Sequence, residues 1–215
     1  MRLRKLGLLA VVGAASAGLA VASATAGTAK SSAYIASAPA FGSELVSPPG
    51  ADWPIVGGDL YNQGYSTLNQ INDTNVASIK QVWTQTIHGT SGAEQEGSGL
   101  VYRGIMYVAS GEGDLAALNA ATGEVIWKKV FTGQPANAFG INAQRGVALG
   151  DGKVFLSTSD GLLRAFDQKT GTQLWQSANV LKTDIQLSPP TPVYYAGKVF
   201  LGTHGGGDAG ARGSF

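Results

Sequence analysis

The sequence contains no cysteine and few charged residues, and each shortage excludes a class of protein. Without cysteine, the 215 residues offer no disulfide, no thiolate metal site and no cysteine nucleophile. Lys and Arg number 15 against 14 Asp and Glu, so the basic surplus of a nucleic-acid-binding protein is missing. Glycine is abundant, at 31 residues spread between short hydrophobic runs, and it interrupts every stretch long enough for a helix. The pattern therefore favours short strands joined by many turns.

The N-terminus has the order of a secretory signal peptide, predicted over residues 1–26. A basic start (2–5) precedes an apolar run (6–21), and the small residues that follow it offer cleavage sites. A membrane anchor is the alternative, but the run is shorter than the roughly 20 apolar residues that a spanning helix needs. We therefore expect an exported protein, periplasmic or extracellular, that is not integral to the membrane.

A stretch rich in Ser, Ala and Pro follows the predicted signal peptide, at residues 27–50. This composition is typical of a linker or a loosely docked arm. The ordered structure is expected to begin near Trp53, within a domain of residues 51–215.

Two similar segments, 117–127 and 165–175, repeat within that domain, and both end in Thr-Gly-x-x-x-Trp. Trp127 and Trp175 are 48 positions apart, and Trp83 lies 44 positions before the first of them. Self-similarity at a period of about 40–50 residues, built from short strands, is typical of β-propeller blades. We therefore predict an all-β fold, a partial β-propeller of four-stranded blades.

The number of repeats is too small for a closed propeller, which needs about four to eight blades. A third repeat starts with Gly-Lys-Val-Phe-Leu at 197–201, and the sequence stops where its next strand would begin. An open stack of blades would leave a long exposed sheet edge. We therefore expect this chain to be the N-terminal portion of a longer protein.

The first part of the domain resembles pyrroloquinoline-quinone (PQQ) dependent alcohol dehydrogenases. The residues that carry this resemblance are Trp53-Pro54, Gly58-Asp59, Asn62, Tyr65-Ser66, Leu68, Ile71-Asn72, Asn75-Val76 and Trp83. The Thr-Gly…Trp repeats are similar to that family's tryptophan-docking motifs. The resemblance extends over 51–215 and implies eight blades in the full-length protein, a small alcohol as substrate, PQQ and Ca²⁺ as cofactors, and a cytochrome c or another electron acceptor as partner.

The resemblance also implies two cofactor-binding residues on the first repeats. Glu96 stands in a Gln-Glu pair like that of the family, although Gly99 replaces the family's proline. Arg145 begins the sequence Arg-Gly-Val-Ala, which matches a family motif whose arginine hydrogen-bonds the quinone oxygens, with Gln144 in place of asparagine. A planar, permanently charged guanidinium suits the oxygens of a flat tricarboxylate quinone.

A third motif implies the metal site, in the glycine-rich segment 206–213. There Asp208 replaces the family's calcium-ligating glutamate, and calcium accepts oxygen ligands from either residue. Gly206 and Gly207 are implied to let the backbone approach the planar cofactor closely.

Other positions depart from the family. The family's threonine that contacts a cofactor carboxylate aligns with Pro189, which leaves the adjacent Ser188 as the implied contact. The family's vicinal cysteines align with Phe139 and Gly140. No catalytic residue is assigned, because the family's aspartate base is expected beyond Phe215. These departures keep a second interpretation open, a cofactor-free propeller that acts as a secreted binding or assembly scaffold.

Overall fold

The computed structural model describes residues 36–87, 93–132, 142–177 and 190–202. Within these ranges nearly all regular structure is β. Most strands form antiparallel sheets in consecutive order along the chain, whereas strands 93–98 and 142–146 pair with each other in parallel. The elements are two 3₁₀ helices, η1 (Ser43–Val46) and η2 (Val76–Ser78), and the strands β1 (Ala93–Ser98), β2 (Leu100–Tyr102), β3 (Ile105–Ala109), β4 (Leu115–Asn119), β5 (Val125–Lys129), β6 (Asn142–Gly146), β7 (Ala148–Gly150), β8 (Lys153–Ser157), β9 (Leu163–Asp167), β10 (Gln173–Gln176), β11 (Val193–Tyr195) and β12 (Lys198–Phe200).

Two four-stranded sheets and the start of a third correspond to successive blades. The first blade has the order β2-β3-β4-β5, the second β7-β8-β9-β10, and the third is described by β11 and β12. This architecture confirms the prediction of an all-β, propeller-type fold. Within the described ranges, no helix has the length and apolar character that a membrane crossing requires.

The same two-residue turn joins the first two strands of each blade. Both central residues have positive φ in all three turns, at 103–104, 151–152 and 196–197. That conformation matches the twist of the flanking strands and favours glycine at the second position, where the sequence places a glycine each time. The glycine series of the repeats therefore marks the hairpins of the blades.

The docking tryptophans connect neighbouring blades. Trp83 lies against Gly123, where an added Cβ would stand 2.6 Å from the indole ring, and its Nε1 donates to the Ala120 carbonyl at 3.1 Å. Trp127 repeats this contact one blade later. A Cβ added to Gly171 would stand 2.6 Å from its ring, and its Nε1 donates to the Gln168 carbonyl at 3.0 Å. Each tryptophan thus packs on the Thr-Gly turn of the next repeat, because glycine leaves room for the ring.

The segment predicted as a linker or a loosely docked arm is docked in its second half. Ala38, Phe41 and Leu45 are buried in the main hydrophobic core. The backbone N–H groups of Asp151 and Gly152 donate to carbonyls of residues 38–39 at 2.8 Å, which ties the segment to a hairpin of the second blade. Order therefore begins before Trp53, because three apolar side chains in this Ser- and Pro-rich stretch dock it on the core.

Candidate functional site

Glu96 and Arg145, 49 positions apart in the sequence, meet across a pair of parallel strands. β1 and β6 are paired in register at Gln95 and Gln144, and the register shifts before Ser98 and Gly146. Arg145 Nη2 lies 3.0 Å from Glu96 Oε2, and both side chains are about 40% exposed (40% and 39%). The structure thus brings together the two cofactor-binding residues that the resemblance implies within the described ranges.

A glycine between these residues lets the two strands touch. A Cβ added to Gly97 would stand 2.7 Å from the Arg145 carbonyl carbon and from the Gly146 nitrogen, closer than real side chains come to backbone. Gly146 itself has φ +133°, a conformation that side chains with a Cβ rarely adopt. The close approach of the strands therefore depends on the missing side chain at Gly97, and the backbone conformation at position 146 favours glycine.

Gln144 holds the backbone that carries the arginine. Its side chain is 1% exposed, and its Oε1 accepts hydrogen bonds from the N–H groups of Arg145 at 2.9 Å and Gly146 at 3.2 Å. Its Nε2 donates to the Ser157 carbonyl at 2.9 Å, on strand β8 of the second blade. The sequence analysis noted Gln144 only as a replacement for asparagine and did not predict that it supports the Arg145 backbone. The signal available in the sequence was a long amide side chain directly before the arginine.

The beginning of the third blade supports the same backbone from the other side. Thr191 Oγ1 donates to the Arg145 carbonyl at 2.6 Å, and Ser157 Oγ donates to the Pro190 carbonyl. Residues of two consecutive blades therefore position Arg145. Because the backbone of Arg145 is fixed in this way, little backbone freedom is lost when the residue binds a ligand.

The donor set fits a planar anionic cofactor through Arg145. The guanidinium stays charged at every physiological pH, presents several N–H donors in one plane and is partly open to solvent. The glycines at 97 and 146 remove side-chain bulk beside it. Among the described residues there is no group of three His, Asp or Glu side chains able to hold a metal ion, and the implied calcium ligand Asp208 lies outside those residues.

Several implied site residues lie outside the described ranges, so their assignment stays a prediction. They are Ser188, Gly206, Gly207 and Asp208, together with the departures Phe139, Gly140 and Pro189.

Comparison with known proteins links most of the chain to quinone-dependent enzymes. Residues 68–213 match the family model PQQ_2, which is described as outer membrane protein assembly factor BamB. The chain is 36% identical over 172 residues to the dehydrogenase subunit of a quinone alcohol dehydrogenase from Gluconobacter oxydans (strain 621H), covering 75% of this chain and 22% of that protein. It is 32% identical over 168 residues to a 1-butanol dehydrogenase (cytochrome c) from Thauera butanivorans, covering 76% of this chain and 24% of that protein.

Solved structures show the same likeness. The quinohemoprotein alcohol dehydrogenase of Comamonas testosteroni superposes with a TM-score of 0.67 at 34% identity, over 75% of this chain and 24% of that one. A europium-containing methanol dehydrogenase also gives 0.67, at 30% identity over 79% of this chain and 30% of that one. These matches confirm the resemblance inferred from the sequence. The chain spans about a quarter of the length of these relatives.

Proposed function

Because the chain belongs to the PQQ_2 family, we propose that it is the N-terminal portion of a quinone-dependent alcohol dehydrogenase. The observation that carries this proposal is the Glu96–Arg145 pair, 3.0 Å apart on touching parallel strands. A family motif can be matched by chance in sequence, but two matched residues that meet in space support one shared site. The relatives' names support the reaction class, since they are quinone and cytochrome c alcohol dehydrogenases.

In this proposal the residues of the chain bind and orient the cofactor. PQQ, when bound, supplies the acceptor for the two electrons that the alcohol loses. Arg145 holds the cofactor oxygens with its guanidinium, Glu96 keeps that guanidinium in place, and Gln144 and Thr191 fix the backbone beneath it. Asp208 is the proposed calcium ligand, with Ser188, Gly206 and Gly207 as further cofactor contacts. The proton acceptor for the alcohol is expected beyond Phe215.

We also propose that the protein is exported and passes its electrons to a cytochrome c or a similar acceptor. The basic and apolar order of residues 1–26 supports export. The Thauera butanivorans relative is named for its cytochrome c acceptor, which supports that partner here. N-terminal sequencing of the protein from its native source checks the export step, and a mature chain that still begins at Met1 would contradict it.

The test is a titration of the protein with PQQ in the presence of Ca²⁺, in which tryptophan fluorescence is the signal measured. We expect saturable quenching, and Arg145→Ala should weaken the affinity at least about tenfold because a charge-assisted contact is lost. Arg103→Ala is the matched control, since the Arg103 side chain is 68% exposed and its Nε lies 3.8 Å from Asp52. Equal affinities for the Arg145→Ala and Arg103→Ala variants would contradict the proposed role of Arg145.

The second candidate is a cofactor-free propeller that serves as a binding or assembly scaffold. The description of the family model as an assembly factor favours it. In that case Glu96 and Arg145 are a structural ion pair between two strands. Arg145→Ala would then lower the melting temperature, and PQQ with Ca²⁺ would change neither the fluorescence nor the melting temperature of the unaltered protein.

A further inference from the structure

Ser157 connects the strand that carries Arg145 with the beginning of the third blade. It is the last residue of β8 and is fully buried, at 0% exposed. Its carbonyl accepts a hydrogen bond from Gln144 Nε2 at 2.9 Å, and its Oγ donates to the Pro190 carbonyl. Ser157 is therefore bonded through its main chain to the residue before Arg145 and through its side chain to the third blade.

These contacts belong to a closed ring of hydrogen bonds through residues 144–145, 157 and 190–191, which we call the hydrogen-bond ring. From Pro190 the chain passes to Thr191, whose Oγ1 donates to the Arg145 carbonyl at 2.6 Å. Arg145 follows Gln144 in the chain, and the Gln144 side chain leads back to Ser157. Because the ring is closed, its members restrict one another, and the loss of one bond loosens the others.

The first blade shows that a blade does not need a hydroxyl at this position. Ala109 occupies the equivalent place, at the end of β3 and opposite Leu115. Ser157 lies opposite Leu163 in the same register. Ala109 is also buried, at 4% exposed, so an apolar side chain fills the position without the cost of burying a polar group. The hydroxyl of Ser157 therefore serves its contact with the third blade and not the packing of its own sheet.

We propose that Ser157 is a positioning residue for the cofactor and acts through Arg145. This rests on the proposed function, in which the Arg145 guanidinium holds the cofactor oxygens. The hydrogen-bond ring fixes the Arg145 backbone in advance, so binding does not have to order it. Without the Ser157 hydroxyl, residues 190–191 lose their bond to β8, and Thr191 holds the Arg145 carbonyl from a less fixed support. Because Ser157 is fully buried, its effect on binding is indirect.

The experiment measures PQQ affinity in the presence of Ca²⁺, by tryptophan fluorescence on the full chain, for the unaltered protein and for Ser157→Ala. We expect Ser157→Ala to bind PQQ about three- to tenfold more weakly, the effect of one hydrogen bond between neutral groups. Ser110→Ala is the matched control. That serine is also buried, at 5% exposed, and its Oγ accepts the Asp114 N–H at 3.1 Å in a turn of the first blade. Ser110→Ala should lower the melting temperature and leave the PQQ affinity unchanged.

A double-mutant cycle separates positioning from a general loss of stability. In Arg145→Ala the guanidinium is already gone, so adding Ser157→Ala should not weaken PQQ binding further. Additive losses would show that Ser157 does not act through Arg145 and would overturn the proposal. Thr191→Val opens the hydrogen-bond ring at its other end with a side chain of nearly the same shape. It should weaken PQQ binding by a similar factor, which keeps the test decisive if Ser157→Ala does not fold.

The outcomes distinguish this proposal from the proposed function. If the unaltered protein binds PQQ and both Ser157→Ala and Thr191→Val bind it equally well, the positioning role is wrong and the proposed function stands. If the unaltered protein does not bind PQQ, both are wrong. Amide hydrogen exchange without cofactor adds an independent readout, since residues 142–146 should exchange faster in Ser157→Ala than in Ser110→Ala. Equal exchange in these two variants would also overturn the proposal.

Discussion

Trp127 and Trp175 hold the same position in two consecutive blades but have different surroundings. Inside their own sheets they are alike: Trp127 lies 6.2 Å from the Tyr107 ring and Trp175 lies 5.9 Å from the Phe155 ring, both tilted by 47°. Trp127 is also covered by the Thr-Gly turn of the following blade at Gly171, whereas Trp175 is 40% exposed. A docking tryptophan is therefore buried by its neighbour, and a blade gains much of its stability from the next one.

The two blades also differ in a polar contact. Tyr107 of the first blade hydrogen-bonds Gln168 at the end of the second, with Nε2 donating to the phenol oxygen at 2.9 Å, and Gln168 Oε1 accepts the Ala38 N–H at 2.7 Å. The corresponding residue of the second blade is Phe155, which has no hydroxyl. One buried chain of hydrogen bonds thus joins the two blades and the N-terminal segment. It begins at Tyr107 of the first blade, and Phe155 of the second blade cannot form a corresponding bond.

The largest effect is expected from truncating the covered tryptophan. Trp127→Ala should lower the free energy of unfolding by about 3 kcal/mol, because it empties the contact between blades and removes a hydrogen bond. Trp175→Ala, its matched control, should cost about 1 kcal/mol because the described residues leave Trp175 40% exposed. Urea denaturation of both variants measures the difference. Equal losses would show that the neighbouring blade contributes little.

A smaller effect is expected from filling the space beneath the same ring. Gly171→Ala combines a positive φ of +69° with a Cβ only 2.6 Å from the Trp127 ring, and should cost about 2–3 kcal/mol. Gly104→Ala has a similar φ of +77° with nothing within 4 Å, so it isolates the backbone strain, about 1 kcal/mol. Thermal unfolding of the pair tests this, and matching melting temperatures would refute a steric role for Trp127.

The smallest effect concerns the tyrosine that the second blade lacks. Burial raises the pKa of Tyr107 to about 12 from 10.0, outweighing the hydrogen bond from Gln168, which lowers it. The folded state favours the neutral phenol of Tyr107. Its contribution to the free energy of unfolding is therefore fully present below pH 10 and is lost as the pH rises through 12, by on the order of 2 kcal/mol in total.

Urea denaturation between pH 8 and pH 11.5 checks this expectation. Tyr107→Phe should be less stable than the unaltered protein at pH 8, by about 1 kcal/mol, because Gln168 loses its acceptor. The alkaline loss of stability should be shallower in that variant. The same slope in both proteins would exclude Tyr107 as its source.

The blades could be predicted from the sequence because their determinants are local. Glycine at the second position of each hairpin depends on local backbone conformation, and the Thr-Gly…Trp pattern recurs at a regular spacing because each blade repeats the same contact with the next one. The composition of segment 27–50 left open whether it is a linker or a docked arm, and it did not predict that order begins before Trp53. Its order depends on Phe41 and Leu45 meeting a core formed by residues far along the chain.

For the candidate site too, some properties followed from the sequence and others only from the tertiary structure. The sequence by itself determined the chemistry available, a carboxylate at Glu96 and a guanidinium at Arg145 within recognisable motifs. Only the tertiary structure decided that these groups meet at 3.0 Å and that Gln144 and Thr191 hold the backbone beneath them. The physical reason is that residue type sets charge and hydrogen-bonding capacity, whereas distance and burial depend on how separate blades pack together.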